Sequence, residues 1–120
     1  MLFSEVVRLL DAEVLCGSDQ MSREVSSACA SDMMSDVLAF AHDEDSLLLT
    51  GLLNQQVIRT AEMKDILCVC FVRDKRPDEA IIGLAQEKGI IVMRTSYRLF
   101  EASGLLYTGG LGRERTESNG

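Results

Sequence analysis

The stretch Ile66-Leu67-Cys68-Val69-Cys70-Phe71-Val72 decides the fold class, because its apolar residues follow one another without a polar break. A strand of this kind has both faces covered, which is typical of a central parallel strand between two helix layers. The apolar runs Leu47-Leu48-Leu49-Thr50 and 90–94 lie on either side of it along the chain, each separated from it by a helical pattern. This alternation predicts a parallel sheet with helical crossovers.

The pattern outside these three strands predicts the remaining elements. Further strands are expected at Glu13–Cys16 and at 24–29. Helices are expected over 5–11, 33–41, 55–64, 77–88 and from Ser96 onward. The residues expected to cap helix N-termini are Ser4, Ser31, Asn54 and Ser96. The sequence therefore predicts an α/β fold, a three-layer α/β/α sandwich with a mostly parallel central sheet, over residues 1–111. Residues 112–120 lack an apolar pattern and are predicted to be a flexible tail.

Composition excludes several classes of partner and points to a compartment. The chain has 120 residues and a formal net charge of −7, which argues against nucleic acid or an anionic membrane surface as the partner. The sequence shows neither a leader segment nor an apolar run long enough to span a membrane. Four cysteines without a disulfide or zinc spacing are expected to be reduced thiols, so we expect a cytoplasmic protein.

Catalytic motifs are missing from the sequence. It contains no Walker loop, no dinucleotide-binding glycine pattern and no nucleophile elbow. His42 is the only histidine and lacks the partners of a catalytic set. The run Asp43-Glu44-Asp45 lacks the ligand spacing of a calcium loop and is predicted to be a solvated turn. We therefore expect no enzyme activity, no cofactor and no metal.

The cysteines leave two interpretations open. Cys68 and Cys70 are two residues apart on one strand, so their thiols share a face and could form a redox pair. Buried cysteine acting as a small hydrophobic residue is the commoner case and is favoured here. Cys29, next to the expected cap Ser31, would be an activated thiol only if it were exposed.

One set of residues suggests a ligand site. In parallel sheets, ligands gather beyond the carboxyl ends of the strands, and helix N-termini there favour anions. The candidate ligand-binding residues at these ends are Ser31, Thr50, Gly51, Asn54, Arg73, Thr95 and Ser96. The alternative is that the serines and Asn54 only cap helices and that the arginine only solvates a loop.

The succession of segments resembles a known family. The run Ala30-Ser31-Asp32-Met33-Met34-Ser35-Asp36-Val37-Leu38-Ala39 is similar to a stretch of small stand-alone DRTGG-domain proteins. Six further segments keep that family's order, namely the strand at 47–50, the helix at 54–61, Pro77-Asp78-Glu79, 85–90, the strand end at Thr95 and the last helix at 100–107. The D-R and T-G-G strings that name the family are not in their places, where Gly51-Leu52-Leu53 and Phe71-Val72-Arg73-Asp74 stand instead.

The resemblance implies a small α/β domain, often dimeric, that serves as a regulatory attachment to other proteins. Relatives are fused to phosphotransacetylases and to nucleotide-regulated pyrophosphatases, and the N-terminal domain of HPr kinase is similar. Because this chain has no Walker loop, kinase activity is not carried over. We expect a non-catalytic regulatory or interaction domain that works as a homodimer through Met33, Met34 or the last helix with Leu105, Leu106 and Tyr107. A protein partner is also open, and the alternative function is a sensor of a nucleotide or another small anionic metabolite.

Overall fold

The computed structural model describes residues 1–112, in which five strands and five α-helices alternate along most of the chain. The strands are β1 (Glu13–Cys16), β2 (Ser27–Ala30), β3 (Asp45–Thr50), β4 (Cys68–Phe71) and β5 (Ile91–Arg94). The helices are α1 (Phe3–Leu10), α2 (Met34–Phe40), α3 (Gln55–Met63), α4 (Glu79–Lys88) and α5 (Leu99–Thr108). Of the predicted tail, only Gly112 belongs to the described residues.

The strands form one sheet in the order β1-β5-β4-β3-β2. Strands β2 to β5 are parallel and follow one another in sequence order, whereas β1 pairs antiparallel with β5. The central strands are in register, with Thr50 opposite Phe71 and Cys70 opposite Met93. The carboxyl ends of the four parallel strands therefore meet at one edge of the sheet, as the sequence predicts.

Two apolar clusters cover the two faces of this sheet. On one face, β3, β4 and β5 pack against α1 and α5 through residues that include Phe3, Leu10 and Leu106. On the other face, the same strands pack against α2, α3 and α4 through residues that include Val37 and Ile58. The architecture is the predicted three-layer α/β/α sandwich with a mostly parallel sheet. All three helices that connect the parallel strands lie on one face of the sheet. Of the helices in residues 1–112, only α1 and α5 therefore cover the other face.

The helix starts confirm one predicted cap and correct three. The side chain of Asn54 accepts a hydrogen bond from Val57 N, so it caps α3 as predicted. Helix α1 begins one residue before Ser4, and its N-cap position is Leu2. The caps predicted at Ser31 and Ser96 are wrong, because α2 and α5 begin only at Met34 and Leu99. In both places, loop residues at the strand end form hydrogen bonds of their own and delay the helix.

The acidic loop after α2 also differs from its prediction. Asp45 is only 4% exposed and is the first residue of β3, so it is not part of a solvated turn. Its Oδ2 accepts a hydrogen bond from His42 N at 2.9 Å, which closes the loop that leads into the strand. Asp43 and Glu44 are exposed, as predicted. No helix of residues 1–112 combines the length and the apolar character that crossing a membrane requires.

Candidate functional site

The carboxyl edge of the sheet brings three of the predicted residues together around Asp32, the second residue of the loop after β2. Asp32 Oδ1 accepts a hydrogen bond from Gly51 N at 2.6 Å and one from Thr50 Oγ1 at 3.3 Å. Asp32 Oδ2 lies 3.6 Å from Arg73 Nη2. A backbone amide, a hydroxyl and a guanidinium thus converge on one carboxylate, a group of donors suited to binding an oxyanion.

Gly51 provides the space that Arg73 occupies. A Cβ atom at position 51 would overlap the Arg73 guanidinium, with Cζ only 2.9 Å away. The backbone of Arg73 and of Asp74 is left-handed, with φ of 61° and 58°. Non-glycine residues adopt this conformation at a cost of about 1–2 kcal/mol each, so other contacts must hold the loop in place.

Those contacts come from the loop after β5. Arg73 N donates to Tyr97 O at 2.8 Å, and Asp74 N donates to Thr95 O at 2.9 Å. The chain leaves β4 towards one face of the sheet and β5 towards the other, so β4 and β5 flank the point where ligands gather in many open α/β sheets. Here the two loops are joined by hydrogen bonds across that point. The chain itself thus bridges the gap between these two strand ends.

A second charged cluster lies at the same edge, beside the antiparallel strand β1. Arg94 forms ion pairs with Glu13 and with Asp74, and Arg76 forms an ion pair with Glu13 at 3.2 Å. The hydrogen bond from Arg94, together with the charges of Arg76 and Arg94, lowers the pKa of Glu13. These two arginines are therefore already neutralised by acidic neighbours.

The other predicted site residues have separate positions and partners. Ser31 precedes Asp32, and its hydroxyl accepts a hydrogen bond from Met33 N at 3.0 Å. Thr95 is buried, donates to Leu10 O at 2.6 Å and accepts from Tyr97 N at 3.3 Å. Asn54 caps α3, and Ser96 is exposed in the loop before α5. The structure thus groups Thr50, Gly51 and Arg73, and it shows local structural bonds for Ser31, Asn54 and Thr95.

A second candidate surface, which the sequence analysis did not delineate, lies between helix α5 and the edge strand β2. It is a groove of about 510 Å³. The residues that line it are Ser27, Ala28, Ala30, Leu49, Phe100, Ser103, Gly104, Leu106, Tyr107, Leu111 and Gly112. Phe100 is 86% exposed and Tyr107 is 57% exposed. We call this surface the α5–β2 groove.

A signal for this groove is present in the sequence. Leu99, Ala102 and Leu106 have the spacing of one helical stripe, and the structure packs them against the sheet. Phe100 is about 100° around the helix from Leu99, so it cannot lie on that stripe. Two of the residues predicted for an interface, Met33 and Tyr107, are exposed, whereas Met34 and Leu106 belong to the core.

The cysteines behave as the favoured interpretation expects. Cys68 and Cys70 are fully buried in the cluster beneath α1 and α5, and both are free thiols. Burial raises the pKa of Cys70 to about 12 and that of Cys68 well above its usual range. Cys29 is half-buried, and burial raises its pKa too. No group of three or more metal-ligating side chains forms within residues 1–112.

A model of the DRTGG domain matches residues 5–108, which is most of the chain. The chain belongs to the DRTGG domain family. In this DRTGG domain, the strings that name the family are expected at residues 51–53 and 71–74. The first segment follows β3, and the second begins with the last residue of the neighbouring strand β4. They therefore lie at the carboxyl edge, where this chain has Gly51 and Arg73.

A solved structure has the same fold. It is the crystal structure of the CBS and DRTGG domains of the regulatory region of Clostridium perfringens pyrophosphatase, complexed with its activator, diadenosine tetraphosphate. The TM-score is 0.68 and the sequence identity is 18%, over 84% of this chain and 44% of the other. The DRTGG domain described here thus spans less than half of that regulatory region. A comparison with curated proteins gave no match.

Proposed function

We propose that this DRTGG domain is a non-catalytic regulatory domain that works as a homodimer, with the α5–β2 groove as its interface. The observation that carries the proposal is the groove itself, an apolar surface with Phe100 at its rim, beside the edge strand β2, which within residues 1–112 pairs with β3 alone. Contiguous exposed apolar surface next to a free edge is typical of protein–protein contacts.

The edge strand β2 supports burial of this surface. Its sequence, Ser27-Ala28-Cys29-Ala30, contains neither a charged residue nor a proline. Edge strands that stay solvated usually carry such residues, because they prevent pairing with other chains. An unprotected edge beside an apolar groove is therefore expected to be covered by another molecule.

Charge and helix geometry favour a second copy as that molecule. None of the groove-lining residues among 1–112 is charged, so two chains of net charge −7 can meet along this part of the surface with little local repulsion. Phe100 and Tyr107 lie about 10 Å apart along α5, with Gly104 between them. The space around Gly104 is open, so a second helix can approach closely there. Two antiparallel α5 helices would place each Phe100 near the partner's Tyr107, as a two-fold interface requires.

Light scattering coupled to size-exclusion chromatography tests the dimer at micromolar concentration. We expect the wild type to be dimeric and Phe100→Ser to be monomeric. Phe40→Ser is the matched control, since Phe40 is 72% exposed on α2, on the opposite face, and this variant should stay dimeric. A monomeric wild type, or dissociation by the Phe40 change alone, would contradict the proposal.

The absence of enzyme activity and the compartment belong to the same proposal. The single histidine, His42, is exposed, and its backbone amide donates to Asp45 Oδ2, which closes a loop. The four cysteines are free thiols, which fits a reducing compartment such as the cytoplasm. Taken together, these features support a domain that acts by binding.

A second candidate function is a sensor of a small anionic metabolite at the carboxyl edge. The convergence of Thr50, Gly51 and Arg73 on one carboxylate favours it. The pyrophosphatase regulatory region of the same fold binds a nucleotide activator, which also supports a ligand of this class. A thermal-shift screen with nucleotides and phosphorylated metabolites tests this function. A ligand at about 100 times its dissociation constant adds about 2.7 kcal/mol of stability, and a flat panel would contradict the sensor.

A further inference from the structure

The carboxylate of Asp32 occupies the position that an external anion would take at the end of β3. Its oxygens receive the Gly51 amide, the Thr50 hydroxyl and the Arg73 guanidinium, all from outside its own loop. A carboxylate and a phosphate present similar oxygens to such donors. The donor set is therefore of the kind that binds an oxyanion, and in this structure a carboxylate of the chain itself fills it.

The backbone of these donors is held by contacts other than those with Asp32. Thr50 and Gly51 are buried, and Thr50 ends a strand whose pairing with β4 runs through Phe71. The Thr50 hydroxyl also accepts a hydrogen bond from Leu52 N, which fixes its orientation. Arg73 is anchored through its own backbone amide and fits against Gly51. We therefore expect the backbone positions of these donors to persist when Asp32 is replaced.

The side chain of Asp32 is accessible from solvent. Its side chain is 49% exposed, and that of Arg73 is 45% exposed, so solvent and solutes reach both. Asp32 lies in the loop between β2 and α2 and is neither in a strand nor in a helix. Within residues 1–112, Arg73 is the cation in ion-pair contact with Asp32, whereas Arg76 and Arg94 are paired with Glu13 and Asp74. One cationic side chain and one amide suit a single oxyanion group.

We propose that Asp32 is a built-in competitor in an oxyanion site, and that a phosphate or carboxylate group of a small ligand binds Gly51 N, Thr50 Oγ1 and Arg73 by displacing it. This inference rests on the second candidate function and is independent of the dimer. A tethered carboxylate competes at an effective concentration in the millimolar range or above, so it weakens anion binding in the wild type. Removing it should expose the full affinity of the site.

The experiment is a titration with inorganic phosphate, and separately with acetate, followed by ¹H–¹⁵N correlation spectra. In Asp32→Ala, we expect the Gly51 amide to shift and to saturate at a phosphate or acetate concentration at least about tenfold lower than in the wild type. Asp36→Ala is the matched control. It removes the same charge from the first turn of α2, and it should behave like the wild type. The double variant Asp32→Ala, Arg73→Gln should lose this increase in anion affinity.

The outcomes separate this inference from the sensor function. If Asp32→Ala does not bind phosphate or acetate more tightly than the wild type, the proposed displacement is wrong. It is also wrong if Asp36→Ala shows the same increase in affinity. A metabolite that stabilises the wild type and Arg73→Gln equally leaves the sensor intact but overturns this site. If Asp32→Ala fails to give a dispersed spectrum, Asp32→Asn takes its place. Asparagine keeps an acceptor for Gly51 N without the charge, so a smaller gain is expected, and no gain again overturns the proposal.

Discussion

The most informative single substitution is Thr95→Val, because Thr95 is a predicted ligand residue for which the structure shows a structural role. Its hydroxyl donates to Leu10 O, the carbonyl of the last residue of α1. The last four carbonyls of a helix have no partner within the helix, so this bond satisfies a buried acceptor. We expect Thr95→Val to destabilise the fold even when no ligand is present.

The magnitude follows from the two bonds that Thr95 makes. Valine has the same shape but leaves Leu10 O without its donor, and an unsatisfied buried carbonyl costs about 1–3 kcal/mol. The second bond, from the amide of the exposed residue Tyr97, can be replaced by water and adds little. A loss of about 2 kcal/mol corresponds to a fall in melting temperature of about 8 °C for a domain of this size.

Thr60→Val is the matched comparison. Thr60 is also fully buried, but within the part of the chain that the structure describes its hydroxyl has no hydrogen-bond partner. Replacing a buried, unpaired hydroxyl by a methyl group should leave stability unchanged or raise it by about 1 kcal/mol. The two variants therefore carry the same chemical change, but Thr95→Val should lower the free energy of unfolding, whereas Thr60→Val should not.

Urea unfolding followed by circular dichroism measures both variants, with equal slopes confirming that only stability has changed. Thr95→Ser, which keeps the hydroxyl, should recover much of the loss. An unchanged midpoint for Thr95→Val would refute the reasoning, and so would equal losses for Thr95→Val and Thr60→Val.

The other two predictions concern charge and thiols. Because Arg94 lowers the pKa of Glu13 in the folded state, the stabilisation from Glu13 is present above the ordinary pKa of 4.5 and is lost as the pH falls through the lowered value. Urea unfolding at pH 7 and pH 3 should therefore show a smaller loss for Glu13→Gln than for the wild type, and equal losses would contradict this role. Since burial holds Cys68 and Cys70 protonated, a disulfide reagent at pH 8 should modify half-buried Cys29 first and these two only on unfolding. Rapid modification of Cys68 or Cys70 in the folded protein would contradict their burial.

The sequence alone could predict the α/β class and most of the strands, although not their order in the sheet, because the signals for single strands are local. The run around Cys68–Phe71 is apolar on both faces, and Glu13–Cys16 has the bounds that the pattern predicts. Asn54 lies directly before a helix with an apolar stripe, and it caps that helix. In each case, neighbouring residues carry the information that determines the structure.

The parts that could not be predicted depend on contacts between distant segments. The last helix begins at Leu99 and not near Ser96, because Thr95 and Tyr97 are engaged by Leu10 and Arg73. The convergence on Asp32 joins loops that are about 20 and 40 residues apart along the chain. Residue types at strand ends indicate where hydrogen-bond donors lie close together. They do not show which side chain of the chain itself accepts from these donors.

The α5–β2 groove follows from the order of connections in the fold. Five strands at about 4.8 Å spacing span about 19 Å between the outermost strands, and packed helices lie about 10 Å apart. The helices α2, α3 and α4 therefore cover one face, whereas, among the helices of residues 1–112, α1 and α5 leave a strip of the other face uncovered. Helix α1 packs against α5, and α5 packs over β3, so the strip lies over β2. In the proposed dimer, a second copy of the chain would place its own α5 against that strip and extend the helix layer that α1 and α5 begin.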